Sequence, residues 1–227
     1  MGPDPGGAVS AREDVLERVR SALTGARPVG PVPRDYRTTG AASRAELLDL
    51  LTDRLVDYKA GVHRTDEAGL AGAVARAVAG ALQAAVASGR SPGTQGRARL
   101  VVPPGLPPAW TAELDADVVV DDGLSALELD ALQGVVTAAR VAVAETGTFV
   151  LDASPDQGRR AITLVPDLHV CVLFAAQVVA TVPEAVALLD PTRPLTWVSG
   201  PSATSDIELV RVEGVHGPRT LEVVLVG

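Results

Sequence analysis

Apolar residues along this chain recur in two rhythms. Val15, Leu16, Val19 and Leu23 repeat at helical spacing behind Ser10, a good helix cap, and Gly25 stops the run. ARPVGPVPRDYRTTG follows, where Pro28, Pro31 and Pro33 forbid helix and favour an extended connector. Residues 1–42 therefore read as an arm: a helix, then a Pro-rich connector. Such arms pack on a neighbouring domain, a partner or a second copy of the chain.

From Ser43 the rhythm is that of an α/β domain over residues 43–227. Ser43 and Glu46 form a capping box ahead of LLDLLTDRLVDY. A short strand at 61–63 precedes an Ala-rich helix over 66–88. RLVVPP, DVVVDD, VVTAARVAVAE, GTFVLD, LHVCVLF, LTWVSG and TLEVVLV read as strands. Helical pieces at 107–113, 124–132 and 158–164, and the helix PEAVALLD, fall between them. The strands are continuous runs of Val, Leu and Ile, which marks burial on both faces. Such strands alternating with helices predict a mostly parallel sheet flanked by helices.

Composition narrows the function classes. A chain of 227 residues suits one substantial domain with a small appendage. The net charge of −8, with Lys59 the only lysine, argues against a basic nucleic-acid face. Aromatic residues are 3% of the chain, too few for stacking platforms. One cysteine, Cys171, cannot form an internal disulfide, hold an iron–sulfur cluster or build a cysteine-based zinc site. The start lacks a basic region followed by an apolar core, and no uncharged apolar run is long enough to span a bilayer. The expectation is a cytoplasmic protein with no membrane span.

Four segments could carry chemistry. In AETGTFVLD, Thr146, Gly147 and Thr148 make a hydroxyl-lined turn, and Glu145 could be a base, a nucleophile or an anchor. It could equally be a surface Glu before a hairpin. Arg159 and Arg160 could grip a phosphate or carboxylate; equally, they could be a solvated face or form an ion pair with Asp156. In SGPSATSDIE, Gly200 and Pro201 turn the chain. Ser202, Thr204 and Ser205 then stand where a helix would expose free amides, with Asp206 in its first turn. That composition serves a helix start and an anion site alike. His216, between glycines in GVHGP, could meet a ligand or act as acid or base. His63 and His169 are less suggestive, His169 falling within a strand. The histidines lack metal-ligand spacing, and no GxGxxG, Walker A loop or GxSxG elbow occurs, so no metal is expected and no cofactor is identified.

Three pieces in order, AETGTFVLD, GRRAITLVPDLHVCVL and SGPSATSDIELVRVEGVHGPRTLEVVLV, resemble the lactate-utilisation protein C family, the LUD domain. GPSxTxDIE followed shortly by GVHGP is the most specific part. The likeness covers about residues 43–227 and is strongest from 135 onward. It implies a fold like the ribose-5-phosphate isomerase, CoA transferase and formyltetrahydrofolate cyclo-ligase group. It also implies a role in oxidising L-lactate to pyruvate beside two partner proteins, one or both carrying iron–sulfur clusters. The family often has Arg where this chain has Ala203, which would hand an anion-holding task to Arg159 or Arg160. In that fold group the pocket lies at strand ends, where AETGT and GPS would converge.

The readings are three. The chain is a component of lactate oxidation that binds a small anion, with Glu145 and His216 as candidate catalysts. The ligand-binding candidates are then Thr146, Gly147, Thr148, Arg159, Arg160, Gly200, Pro201, Ser202, Thr204 and Asp206. Alternatively it is a non-catalytic assembly or regulatory subunit, or a ligase or transferase acting on a phosphorylated metabolite or folate.

Overall fold

The computed structural model describes residues 10–25, 30–89, 97–204, 212–213 and 216–227. The chain folds as two units, Met1–Tyr36 and Arg37–Gly227. The first contains helix α1 (Ala11–Ala22), whose Ser10 hydroxyl accepts from the Glu13 N–H while the Glu13 carboxylate accepts from the Ser10 N–H. Its apolar residues Val15, Leu16 and Val19, and Leu23 at its C-cap, are all exposed.

In the second unit, helix α2 (Arg44–Asp57) starts on the capping box of Ser43 and Glu46 and buries Leu47, Leu51 and Leu55. Strand β1 (Gly61–Thr65) leads to helix α3 (Leu70–Ala87). By length and composition α3 could cross a membrane, but its Leu70, Ala73, Val74, Ala77, Val78 and Ala81 face is buried against the sheet. Strands β2 (Ala98–Val102) and β3 (Ala116–Val120), the short helix α4 (Ala126–Asp130) and β4 (Gly134–Ala138) follow. Then come β5 (Val141–Val143), β6 (Thr148–Leu151), β7 (Leu168–Phe174), β8 (Val178–Val179) and helix α5 (Val182–Leu188). The remaining strands are β9 (Thr196–Val198), β10 (Ala203–Thr204), β11 (Val212–Glu213) and β12 (Thr220–Val226).

Six strands form one parallel sheet in the order β1-β12-β7-β4-β2-β3. The α/β class with a mostly parallel sheet between helices is therefore the observed one. Alternate residues of β7 enter opposite cores: Leu168, Val170 and Val172 face α3, while Cys171 and Leu173 face α2. That double burial is why the strand reads as an unbroken apolar run.

VVTAARVAVAE divides at Ala139–Arg140 into β4 and β5, which belong to different sheets. A second sheet, β8-β5-β6-β9, joins β5 and β8 in parallel and the remaining pairs antiparallel. Both β5 and β6 are fully buried, so the apolar pattern carries no mark of the change of sheet. The helix expected over 158–164 is a single 3-10 turn, Arg160–Thr163.

Residues 37–42, read from sequence as part of the arm, belong to the second unit. The Gly40 N–H donates to the Glu184 carboxylate at 2.9 Å, and the Thr181 hydroxyl donates to the Thr38 carbonyl. Glu184 also accepts from the Ala180 and Thr181 amides, and these N–H groups hold its carboxyl below the usual range.

Candidate functional site

Ser202 does not cap a helix, since the residues after it, Ala203–Thr204, are a strand. Ser202 donates its N–H to the Pro218 carbonyl at 2.8 Å, and its hydroxyl accepts from the His216 N–H at 3.1 Å. Ala203–Thr204 then pairs antiparallel with Val212–Glu213 as β10 and β11. The Ser202 oxygen that would cap a helix instead ties GPS to the GVHGP loop. Asp206 and Ser205, the other residues of the supposed first turn, lie outside the described residues.

The two motifs enclose a cavity of about 240 Å³. Ser199, Gly200, Pro201 and Ser202 form one wall, and His216, Gly217 and Pro218 another. Arg160 and Thr163 come from the 3-10 turn, His169 from β7 and Leu221 from β12. His169 and Leu221 are each the second residue of their strand. In the large sheet the cavity thus sits beside amino-terminal strand ends, not beyond the carboxyl ends where open α/β sheets usually bind ligands.

Charge in the cavity is one-sided among the described residues. The Arg160 guanidinium donates to the Thr163 hydroxyl at 3.1 Å and to the His216 carbonyl at 3.3 Å, with no carboxylate beside it. Part of its surface is in solvent, and burial of the rest lowers its pKa. His169 is 2% exposed. Its Nε2 lies 2.8 Å from the Thr137 hydroxyl, and its ring meets Phe149 edge-on at 5.9 Å. Burial first, and the Arg160 charge second, push its pKa down to about 3, so the imidazole is neutral. The same burial raises the Cys171 thiol, which makes it a core residue and a poor nucleophile.

AETGT reaches the same region through a hydroxyl pair: Thr148 and Ser199 lie 2.7 Å apart, oxygen to oxygen. Both glycine turns rest on α2 and the residue after it. Gly147 (φ +59°) would place a Cβ 2.7 Å from that of Arg54, and Gly200 (φ +81°) one 2.6 Å from that of Tyr58. Only glycine fits either place. The Thr146 hydroxyl oxygen is buried without a partner among the described residues. Glu145 is not a lining residue of the cavity; its carboxylate accepts from the Arg37 guanidinium at 2.6 Å.

The two adjacent arginines part company. Arg159 grips Asp121 through Nε and Nη2 at 2.7 and 2.8 Å, and also reaches the Leu124 carbonyl. These hydrogen bonds hold the Asp121 carboxyl below its usual range against the opposing effect of burial. Arg159 is a clamp on the β3–α4 turn, and Arg160 alone faces the cavity. The structure thus gathers Arg160, Gly200, Pro201, Ser202 and His216 around one space, with Thr148 bonded to its rim. Thr204 lies in β10, just beyond it. Sequence alone set His169 aside and did not single out Thr163 or Ser199. His169 carried a signal, as the one histidine inside an apolar strand.

Comparison with known proteins agrees with this architecture. A family model described as the LUD domain matches residues 126–226, which contain every wall of the cavity. Lactate utilization protein C of Deinococcus radiodurans is 44% identical over 222 residues, 96% of each chain. Lactate utilization protein C of Bacillus subtilis is 27% identical over 240 residues, covering 97% of this chain and 98% of that one. A crystal structure of a DUF162 family protein from Deinococcus radiodurans superposes with a TM-score of 0.64 at 41% identity. It covers 82% of this chain and 100% of the other. With identity of that order along nearly the whole chain, and with the LUD domain built around the cavity, this protein belongs to the lactate utilization protein C family.

Proposed function

We propose that this chain is a component of L-lactate utilisation that holds a short carboxylate in the cavity at Arg160. The observation that carries this is a guanidinium on a cavity wall with no carboxylate neighbour among the described residues. A partly desolvated cation gains most from an anionic ligand that brings charge-assisted hydrogen bonds. The hydroxyls of Ser199 and Ser202 supply further polar contacts at the wall. A wider cavity of about 390 Å³, lined by Leu70, Ala71, Trp110 and Phe174, brings a carboxylate, Glu67, and no cation. It does not suit an anion.

The names of the relatives support lactate utilisation as the setting. One buried cysteine cannot ligate a cluster, so the electrons of lactate oxidation would pass to iron–sulfur partner proteins. His216 would be the acid or base, a reading supported by its lying on the cavity wall with its backbone amide and carbonyl bonded to Ser202 and Arg160. A second reading, an assembly subunit, is favoured by the exposed apolar residues Val15, Leu16 and Val19 on α1 and Leu23 at its C-cap.

Titration of the purified chain with L-lactate and with pyruvate tests the first reading. Saturable binding that drops at least tenfold in Arg160→Ala is the expected result. Absence of binding of either acid, or equal binding by Arg160→Ala, would overturn it and leave the assembly role.

A further inference from the structure

We infer that His169 is the specificity-determining group of this cavity, reading a second, uncharged oxygen on the ligand beside the carboxylate held by Arg160. This rests on the carboxylate reading above and adds to it what else the ligand must carry. A bare carboxylate would satisfy Arg160 equally well, so the guanidinium cannot tell propionate from lactate.

The imidazole can. Its position is set from two sides: Nε2 is 2.8 Å from the Thr137 hydroxyl, and Phe149 packs edge-on against the ring at 5.9 Å. With Nε2 engaged, Nδ1 is left with no hydrogen-bond partner among the described residues, on a side chain 2% exposed that lines the cavity. Nδ1 is therefore the ring atom available to a ligand. Nδ1 is not among the buried polar atoms without a partner, so solvent reaches it; a ligand that fills the cavity but brings no oxygen there would strand the nitrogen, and one that brings an oxygen would not. Thr137 and Cys171 occupy paired positions on β4 and β7, and β7 carries His169 two residues earlier on the same face. The ring is thus held by the two central strands of the six-stranded sheet.

The imidazole also stays uncharged. Burial and the nearby Arg160 keep its proton off, so it offers a directional hydrogen bond and does not compete for the carboxylate. Charge recognition and oxygen recognition are divided between two side chains from different elements. Arg160 comes from the 3-10 turn before β7, and His169 from β7 itself. The ligand class that matches both is a short acid with a hydroxyl or carbonyl oxygen on the carbon next to the carboxylate.

The experiment compares L-lactate, pyruvate and propionate by ligand-observed NMR or calorimetry on the full chain, its His169→Phe and its Thr137→Val variants. The expected result is that the parent binds lactate or pyruvate about ten- to hundredfold tighter than propionate. His169→Phe should lose that preference, so that the three acids bind with similar affinity. Thr137→Val, which releases the ring but keeps the side-chain volume, should lose part of it. If His169→Phe does not fold, Thr137→Val decides, and an unchanged preference there overturns the inference. A parent with no preference, or a His169→Phe that keeps it, overturns it too. If none of the three acids binds, the carboxylate reading itself has failed and this inference falls with it; binding without discrimination overturns His169 alone.

Discussion

Thr148 and Ser199 meet hydroxyl to hydroxyl at 2.7 Å, although 51 positions separate them in the chain. The pair joins AETGT to SGPS where β6 runs antiparallel to β9, with Phe149 opposite Val198. Two motifs that read as independent turns are therefore one piece of structure.

Breaking that pair should cost stability at the rim. Thr148→Val removes one hydroxyl and strands the other beside a nearly buried position, a loss of about 1–3 kcal/mol. Urea unfolding should show a lower midpoint with an unchanged slope. A midpoint equal to that of the parent would mean that water replaces the lost partner.

Arg159 and Arg160 should behave as opposites despite being neighbours. Arg159→Ala leaves the Asp121 carboxylate, its side chain 4% exposed, without its cation. The guanidinium is partly solvated, so the expected cost is about 1–3 kcal/mol, below that of a fully buried pair. Since the folded Asp121 pKa lies below its unfolded value, this contribution is present above pH ~4 and lost as pH falls further. Arg160→Ala should change stability by less and abolish acid binding. Denaturant melts and ligand titrations on both variants decide; a fall in affinity for Arg159→Ala alone would reverse the assignment.

Glu145 should prove an anchor and not a catalyst. Its carboxylate pairs with Arg37, whose side chain is 65% exposed, and such pairs contribute about 0–1 kcal/mol. Glu145→Gln should leave acid affinity unchanged and lower stability only slightly. Glu184→Ala, which removes the acceptor of three backbone amides, should cost more, about 1–2 kcal/mol, and expose residues 37–42 to proteolysis. Loss of acid binding in Glu145→Gln would restore Glu145 to the site.

His169 should make the fold acid-sensitive in a definite window. Its folded pKa is about 3, against ~6.5 in the unfolded chain. Between those values the unfolded state binds a proton that the folded state does not. Stability therefore falls as pH is lowered through that window, by up to ~1.4 kcal/mol per pH unit. His169→Gln, which cannot titrate, should show a slope between pH ~6.5 and ~5 shallower by about one proton. An identical slope in the two proteins would mean that the ring is protonated in the folded state.

Local patterns and the structure agree wherever one segment contains the whole cause. The capping boxes at Ser10 and Ser43 begin helices, because the donor and acceptor groups lie three residues apart. The continuous Val and Leu runs became strands of a parallel sheet, since burial on both faces writes itself into each strand. The motifs AETGT, GPS and GVHGP, where hydroxyls and glycines gather, were legible as a group from the same residues.

Pairings between distant segments were not legible. Whether Ser202 caps a helix or receives the His216 amide depends on where another loop lies, and hydroxyl composition serves both ends. Arg159 and Arg160 are the same residue type side by side; Asp121, 38 positions before Arg159, claims one and leaves the other to the cavity. His169 looked like any strand residue until packing left its ring at a cavity wall with one nitrogen held by Thr137. Propensity, capping and burial pattern act within a few residues of chain and can be read along it. Charge pairing, cavity position and the state of a buried imidazole depend on neighbours that only the folded sheet brings within a few ångströms.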